Sequence, residues 1–257
     1  MPKILITNDD GYEAKGLHEL IDAVKELGEV YVVAPASHKS ACSHSLTITK
    51  PLKFIEVGKN FYKLDDGTPV DCVYLSMDKL FKEQKPDIVL SGINHGANLG
   101  EDVNYSGTVG GAFEGAIHNI PSIAFSQVIK NYDGLSNEVD FSNAKKVARE
   151  ITKKVLNKEI TIPHRQILNI NIPNTKHIKG YKVTKLGYRL YGFDAYKNTN
   201  PRGDEYYWIG LHSLNFKEEE NSDFNAIKNG YVSITPLKLD ITAYETIDKL
   251  KKSFNDS

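Results

Sequence analysis

The chain predicts a doubly wound α/β fold over its first ~170 residues, and three observations carry that prediction. Short apolar runs with β-branched members, Lys3-Ile4-Leu5-Ile6-Thr7 and Val30-Tyr31-Val32-Val33-Ala34, end abruptly at polar residues or proline. Runs of that length and make-up are strands buried on both faces. Between them Leu17, Leu20, Ile21, Val24 and Leu27 recur at helical spacing, with Gly28 as the stop. A strand, a helix and a second strand in that order imply a parallel pair with a right-handed crossover, and the alternation resumes downstream.

The elements follow in order. Pro35 closes the second strand, and residues 36–45 form a polar loop. Two strand-like runs, 52–57 and 61–64, precede the turn Asp66-Gly67-Thr68-Pro69, whose proline is placed to open a helix through Tyr74, Leu75, Leu80 and Phe81. Pro86-Asp87-Ile88-Val89-Leu90 reads as the next buried strand, with Ser91-Gly92-Ile93-Asn94 as its exit. A glycine-rich loop from His95 to Gly107 leads into a small-residue helix from Thr108 to Asn119, and Ile123-Ala124-Phe125 is a further strand. Phe141, Ala144, Val147, Ile151 and Val155 mark an amphipathic helix across 140–157, and Ile167 to Ile172 the last strand of this half.

The second half changes character. From Gly180 to Gly210 the chain is rich in tyrosine and glycine, as in Gly187-Tyr188-Arg189-Leu190-Tyr191-Gly192-Phe193 and Tyr206-Tyr207-Trp208-Ile209-Gly210, which suggests hairpins. Lys217-Glu218-Glu219-Glu220-Asn221 reads as a solvated loop, and residues 230–236 as a strand stopped by Pro236. Asp240 is placed to cap a helix reaching Phe254. The expected organisation is an α/β domain over 1–175 and a hairpin-and-tail extension over 176–257.

Composition narrows the function classes. The 257 residues are 40% hydrophobic and 25% charged, an ordinary globular balance. With 32 basic and 33 acidic residues the net charge is -1, so bulk nucleic-acid binding lacks its positive field. Cys42 and Cys72 cannot build a disulfide framework and suit a reducing compartment. No leader-like or membrane-length apolar run is present. The expectation is a cytoplasmic protein with no membrane partner.

The chemistry starts at Asp9-Asp10-Gly11, directly after the first strand. Ligands of open α/β sheets sit beyond the carboxyl ends of the strands. Two adjacent carboxylates there repel each other unless a cation lies between them. Mg²⁺ and Mn²⁺ are held in this way, by one or two carboxylates with water and substrate phosphate. On these residues alone a polar turn, with Asp10 capping the next helix, is an equal reading. Asp9 and Asp10, the loop with Ser40, and Asn94 each follow a strand expected to be parallel, so all should open on one sheet edge. Together they offer an all-oxygen donor set, although Ser40 and Asn94 taken singly are ordinary loop residues. No histidine–cysteine cluster of the structural-zinc type is present.

The loop from Asn94 to Thr108 holds Gly96, Gly100 and Gly107. Main-chain N–H groups at the following helix start, with the hydroxyls of Ser106 and Thr108, form either an anion site or a simple cap. No Gly-Lys-Ser/Thr ending is present, so this is not a Walker A loop.

These motifs resemble the SurE family of metal-dependent 5′/3′-nucleotidases. The resemblance runs nearly end to end: Ile6-Thr7-Asn8-Asp9-Asp10-Gly11, Ala34-Pro35 with Ser40, Asp66-Gly67-Thr68-Pro69-Val70-Asp71-Cys72, Ser91-Gly92-Ile93-Asn94, Tyr105-Ser106-Gly107-Thr108-Val109, Asn200-Pro201-Arg202-Gly203 and Tyr231-Val232-Ser233-Ile234-Thr235-Pro236-Leu237. It departs at Ala41, where many members have glycine. It implies metal ligands at Asp9, Asp10, Ser40 and Asn94 for one Mg²⁺ or Mn²⁺ per subunit. It implies phosphate contacts at Asn98, Ser106, Gly107 and Thr108. It further implies a Rossmann-like, mostly parallel sheet whose C-terminal hairpin and helix extension builds a homodimer or homotetramer. The expected reaction is hydrolysis of nucleoside 5′- and 3′-monophosphates, with short polyphosphate as a further substrate. A cation on Asp9 and Asp10 would activate the attacking water, the general base being left open among Asp9, Asp10 and a metal-bound hydroxide.

Two rivals meet obstacles. An aspartyl-phosphate phosphatase needs a nucleophilic Asp two residues before its acid partner, and Asn8 stands there. A non-enzymatic Mg²⁺-binding phospho-receiver module needs an accepting Asp at a later strand exit, where this chain has Ser91-Gly92-Ile93-Asn94, and is about half this length.

Overall fold

Ile4, Leu5 and Ile6 are without exposure, and the strand they belong to, β1 (Lys3–Thr7), lies inside a nine-stranded sheet. The computed structural model describes residues 1–129, 139–192, 195–209 and 215–254. Helix α1 (Lys15–Val24) leads to β2 (Glu29–Pro35), parallel to β1. β3 (Lys53–Gly58) and β4 (Phe61–Asp65) form an antiparallel pair whose β4 runs parallel to β2. Helix α2 (Pro69–Lys79) opens on proline with Thr68 as N-cap, and Thr68 and Asp71 bond reciprocally in a capping box. β5 (Ile88–His95) pairs parallel with β1 on its other side. A 3₁₀ turn (Gly100–Asn104) precedes α3 (Gly107–Ile117), then come β6 (Ser122–Gln127), α4 (Ser142–Leu156) and β7 (Gln166–Ile172), with β5, β6 and β7 all parallel.

Side chains alternate across the strands, and that alternation sorts the core. Ile4 and Ile6 pack with Leu17, Leu20, Val147 and Ile151 of α1 and α4. Leu5 packs on the opposite face with Cys72 and Val73 of α2. Val109, Ala112 and Ala116 of α3 join Ala124 and Ile167 on the α2 side. Helices therefore cover both faces of a mostly parallel sheet, the expected α/β class.

β8 (Tyr181–Val183), β9 (Arg189–Leu190), β10 (Ala195–Thr199), β11 (Glu205–Ile209), β12 (Asn215–Phe216), α5 (Asp223–Lys228), β13 (Val232–Lys238) and α6 (Tyr244–Ser253) complete the chain. β10 and β11 form the antiparallel hairpin that the aromatic pattern predicts. Phe193 and Gly210, part of that pattern, lie outside the described residues. β13 returns to the main sheet, antiparallel to β7 and parallel to β8. No helix among the described residues is long and apolar enough to cross a membrane.

Several details differ from the sequence reading. α1 ends at Val24, so Leu27 lies beyond it. β5 runs on through Asn94 to His95, because Gly92 at φ 132° and a register shift between Ser91 and Asn94 carry the strand past its apolar stretch. Pro236 does not stop β13 but pairs with Leu168. β8 accompanies β13 only as far as Ile234, so Pro236 stands on an edge, where its missing N–H is tolerated. Asp240 does not cap α6, whose N-cap is Ala243; it accepts from the Thr242 N–H and the Tyr244 hydroxyl instead.

Candidate active site

β1, β2 and β5 are parallel neighbours, so the residues beyond their carboxyl ends share one edge of the sheet. Asp9 lies there, 3% exposed. Its Oδ1 accepts from the Thr108 hydroxyl at 2.5 Å and its Oδ2 from the Thr108 N–H at 3.0 Å. The Lys39 N–H donates to the Asp9 carbonyl at 2.7 Å, which ties the Ser40 loop to β1. Asp10 Oδ2 accepts from the His95 N–H at 3.0 Å. Burial, with the Asp10 charge second, pushes the Asp9 carboxyl up from 3.8 to about 6, against the lowering effect of the Thr108 bonds.

Ser40 is exposed and meets Asp10 through His38, whose Nε2 is 2.9 Å from Ser40 Oγ and 3.4 Å from Asp10 Oδ1. Asn94 precedes His95, which bonds Asp10, and spends its Nδ2 on the Gly96 carbonyl at 3.0 Å. That bond leaves its Oδ1 as an acceptor. Thus the four expected ligands gather at one edge, their described side-chain bonds go to other residues, and His38 stands between Ser40 and Asp10. Ala41 has φ 56°, the left-handed conformation that glycine adopts without strain.

The start of α3 lies on the other side of this edge. Ser106 is the N-cap, accepting from the Val109 N–H at 3.0 Å, which leaves its hydroxyl hydrogen to donate elsewhere. Gly107 permits a close approach: a Cβ there would fall 2.7 Å from Cys42 Sγ and 2.9 Å from Asp9 Cβ. Burial, then the Asp9 charge, pushes the Cys42 thiol up to about 11, so it stays protonated and offers no thiolate. Thr108 commits both its hydroxyl and its N–H to Asp9 and so joins the acid to the helix start. Asn98 is 6% exposed, and its Nδ2 donates to Ser126 Oγ at 2.7 Å.

His38 and the amides that hold Asn98 escaped the sequence reading. A histidine inside a polar loop has no periodic signal. Asn169 and Asn171 alternate with apolar residues along β7, which reads as a half-exposed strand, yet both are fully buried.

Fold and edge together define an open α/β protein with an acid pair set against a helix start at the carboxyl ends of its central strands. Comparison with known proteins gives the family and the same fold. The model of the family described as "Survival protein SurE" matches residues 4–193. A protein named 5′-nucleotidase SurE from a Nitratiruptor species is 54% identical over 255 residues, covering 98% of this chain and 99% of that one. One of the same name from Campylobacter jejuni subsp. jejuni is 52% identical over 254 residues, covering 98% and 97%. The crystal structure of the Sure protein from Aquifex aeolicus superposes with a TM-score of 0.85 at 47% identity, covering 98% of this chain and 100% of that one. The chain belongs to the SurE family.

Proposed function

We propose that this protein is a metal-dependent phosphomonoesterase that hydrolyses nucleoside 5′- and 3′-monophosphates to nucleoside and phosphate, with short polyphosphate as a further substrate. The observation that carries the reading is the acid pair Asp9 and Asp10, its first member buried and set directly against the N-terminus of α3. An anion held at that helix start lies beside carboxylates that need a counter-charge. The names of the relatives supply the nucleotide.

The residues fit a hard divalent cation. Asp9, Asp10, Ser40 and Asn94 supply oxygen donors alone, and the raised proton affinity of Asp9 is the strain that a cation at this edge would relieve. These four would hold one Mg²⁺ or Mn²⁺, which when bound polarises a phosphate oxygen and offsets charge developing at phosphorus. The chain does the rest. The Ser106 hydroxyl, the Gly107 N–H and the Asn98 amide hold the other phosphate oxygens, and Thr108 enters this cradle through Asp9, fixing the carboxylate against the helix start. The loop bonds Lys39 to Asp9 and Ser43 N–H to the Tyr105 carbonyl at 3.0 Å close the edge around the ester.

The aromatic hairpin supports an oligomer. Tyr207, Trp208 and Ile209 are 59%, 66% and 87% exposed, so they are not covered by their own domain. Two-stranded hairpins are marginal alone, and aromatic residues favour interface cores. The extension over 176–257 is the proposed dimer- or tetramer-forming part.

The test is phosphate release from a panel of nucleoside 5′- and 3′-monophosphates with Mg²⁺ or Mn²⁺, before and after chelation. Release that survives chelation sinks the metal, and no release from any monophosphate sinks the enzyme.

A further inference from the structure

We propose that Asn169 and Asn171 of β7 are positioning residues that fix the main chain of Asn98 and thereby set its amide for a phosphate oxygen; this rests on the phosphomonoesterase reading. The Asn171 side chain grips the peptide of Asn98 at both polar atoms, its Oδ1 accepting from the Asn98 N–H at 2.8 Å and its Nδ2 donating to the Asn98 carbonyl at 3.0 Å. Asn169 Nδ2 donates to the same carbonyl at 2.9 Å. Three side-chain bonds therefore converge on one loop residue from one strand. Ser126, which accepts from the Asn98 amide, is the register partner of both Asn94 on β5 and Asn171 on β7. Asn94, Ser126 and Asn171 form a polar row across three strands, and Asn98 is latched onto it.

The energetics argue against an incidental arrangement. Both β7 amides are fully buried, and burying an amide costs free energy unless its bonds are made. Among the described residues Asn169 Oδ1 makes no hydrogen bond to another protein group, and the bond its side chain does make, from Nδ2, goes to Asn98. Neighbouring bonds extend the hold: Gly96 N–H donates to the Gln127 carbonyl, and Gly100 N–H to Asp223. With its main chain fixed and one Nδ2 hydrogen on Ser126, Asn98 keeps the second Nδ2 hydrogen for a ligand oxygen.

Asn171→Leu and Asn169→Leu remove the grip with little change in volume, and Asn171→Asp keeps the acceptor while losing the donor. In Asn171→Leu, inhibition by inorganic phosphate should weaken roughly tenfold to a hundredfold, with KM for a nucleoside monophosphate rising more than kcat falls. Asn169→Leu and Asn171→Asp should show smaller effects of the same kind. Mn²⁺ affinity should stay at the wild-type value, while the unfolding midpoint of Asn171→Leu should fall, because the buried Asn98 N–H loses its partner. Unchanged phosphate inhibition overturns the proposal, as does a loss that runs parallel to Mn²⁺ affinity. Should the variants not fold, hydrogen exchange on the wild-type protein decides: an Asn98 N–H as slow as those of β7 supports the grip, and fast exchange overturns it. A wild-type protein that neither binds phosphate nor hydrolyses a monophosphate overturns the functional reading itself, whatever the exchange shows.

Discussion

Thr108 donates twice to Asp9, through its hydroxyl at 2.5 Å and its N–H at 3.0 Å, so the first turn of α3 and the end of β1 are a single hydrogen-bonded unit. The acid proposed to face a cation and the helix start proposed to face an anion therefore cannot move independently.

The first prediction concerns Asp9 itself. Asp9→Asn should abolish phosphate release and keep the fold, because the Thr108 hydroxyl can turn to accept from the new amide. The raised folded-state value means that the charge costs stability: the cost is absent below 3.8, grows as pH rises, and is complete above about 6. It corresponds to roughly 3 kcal/mol at neutral pH. Metal-free Asp9→Asn should therefore melt above metal-free wild type at pH 7.5, with the gap closing towards pH 4. A variant that melts below wild type throughout contradicts this.

Metal binding should carry the same signature. Below about pH 6 the Asp9 carboxyl holds a proton that an ion must displace, so Mn²⁺ affinity should fall as pH drops through that range. Calorimetry in buffers of different ionisation enthalpy would count the released proton. A pH-independent affinity between 5 and 7 (roughly one unit either side of the Asp9 value) would show that Asp9 is not a ligand.

Ser106→Ala separates cap from cradle. Loss of the cap should lower stability by about 1 kcal/mol. Loss of a hydrogen bond to a charged phosphate oxygen should cost roughly 1.5–3 kcal/mol in phosphate inhibition. A stability loss with normal phosphate inhibition returns Ser106 to capping alone.

Gly110→Ala reverses the usual outcome for a helix interior. Alanine favours the helix by about 1 kcal/mol, yet its Cβ would fall 2.6 Å from the Ser43 carbonyl of the loop that carries Ser40. The loop must move, so Mn²⁺ affinity should drop while the unfolding midpoint changes little. Retained affinity would mean that the loop yields at no cost to the site.

The hairpin prediction is read by light scattering. Wild-type protein at micromolar concentration should scatter as at least two 28.8 kDa chains, and Trp208→Glu should shift it to one. A wild-type monomer refutes the oligomer.

Much of this was legible in the sequence because buried parallel strands announce themselves as apolar runs, and the chain order then places Asp9, Ser40 and Asn94 at one edge. Gly107 and Ser106 were legible as a helix start. Asn169 and Asn171 were not, since alternation marks a wet face wherever no loop folds over it, and here the Asn98 loop does. His38 was hidden because its meaning depends on Asp10 lying opposite. The return of β13 was hidden because Pro236 signals an end, and its tolerance depends on β8 stopping at Ile234.

The antiparallel seam between β13 and β7 has a consequence for the life of the chain during synthesis. Six residue pairs, from Ser233 with Asn171 to Lys238 with Gln166, close the outer side of β7. Until residue 238 has left the ribosome, β7 presents an open ladder of N–H and C=O groups along a strand buried in apolar neighbours, a template for pairing with any other nascent chain. The last seven strand residues, Val232–Lys238, thus act as a molecular seal. A message truncated between Ile172 and Val232 should yield insoluble protein even though the acid pair and every proposed phosphate contact have already been made.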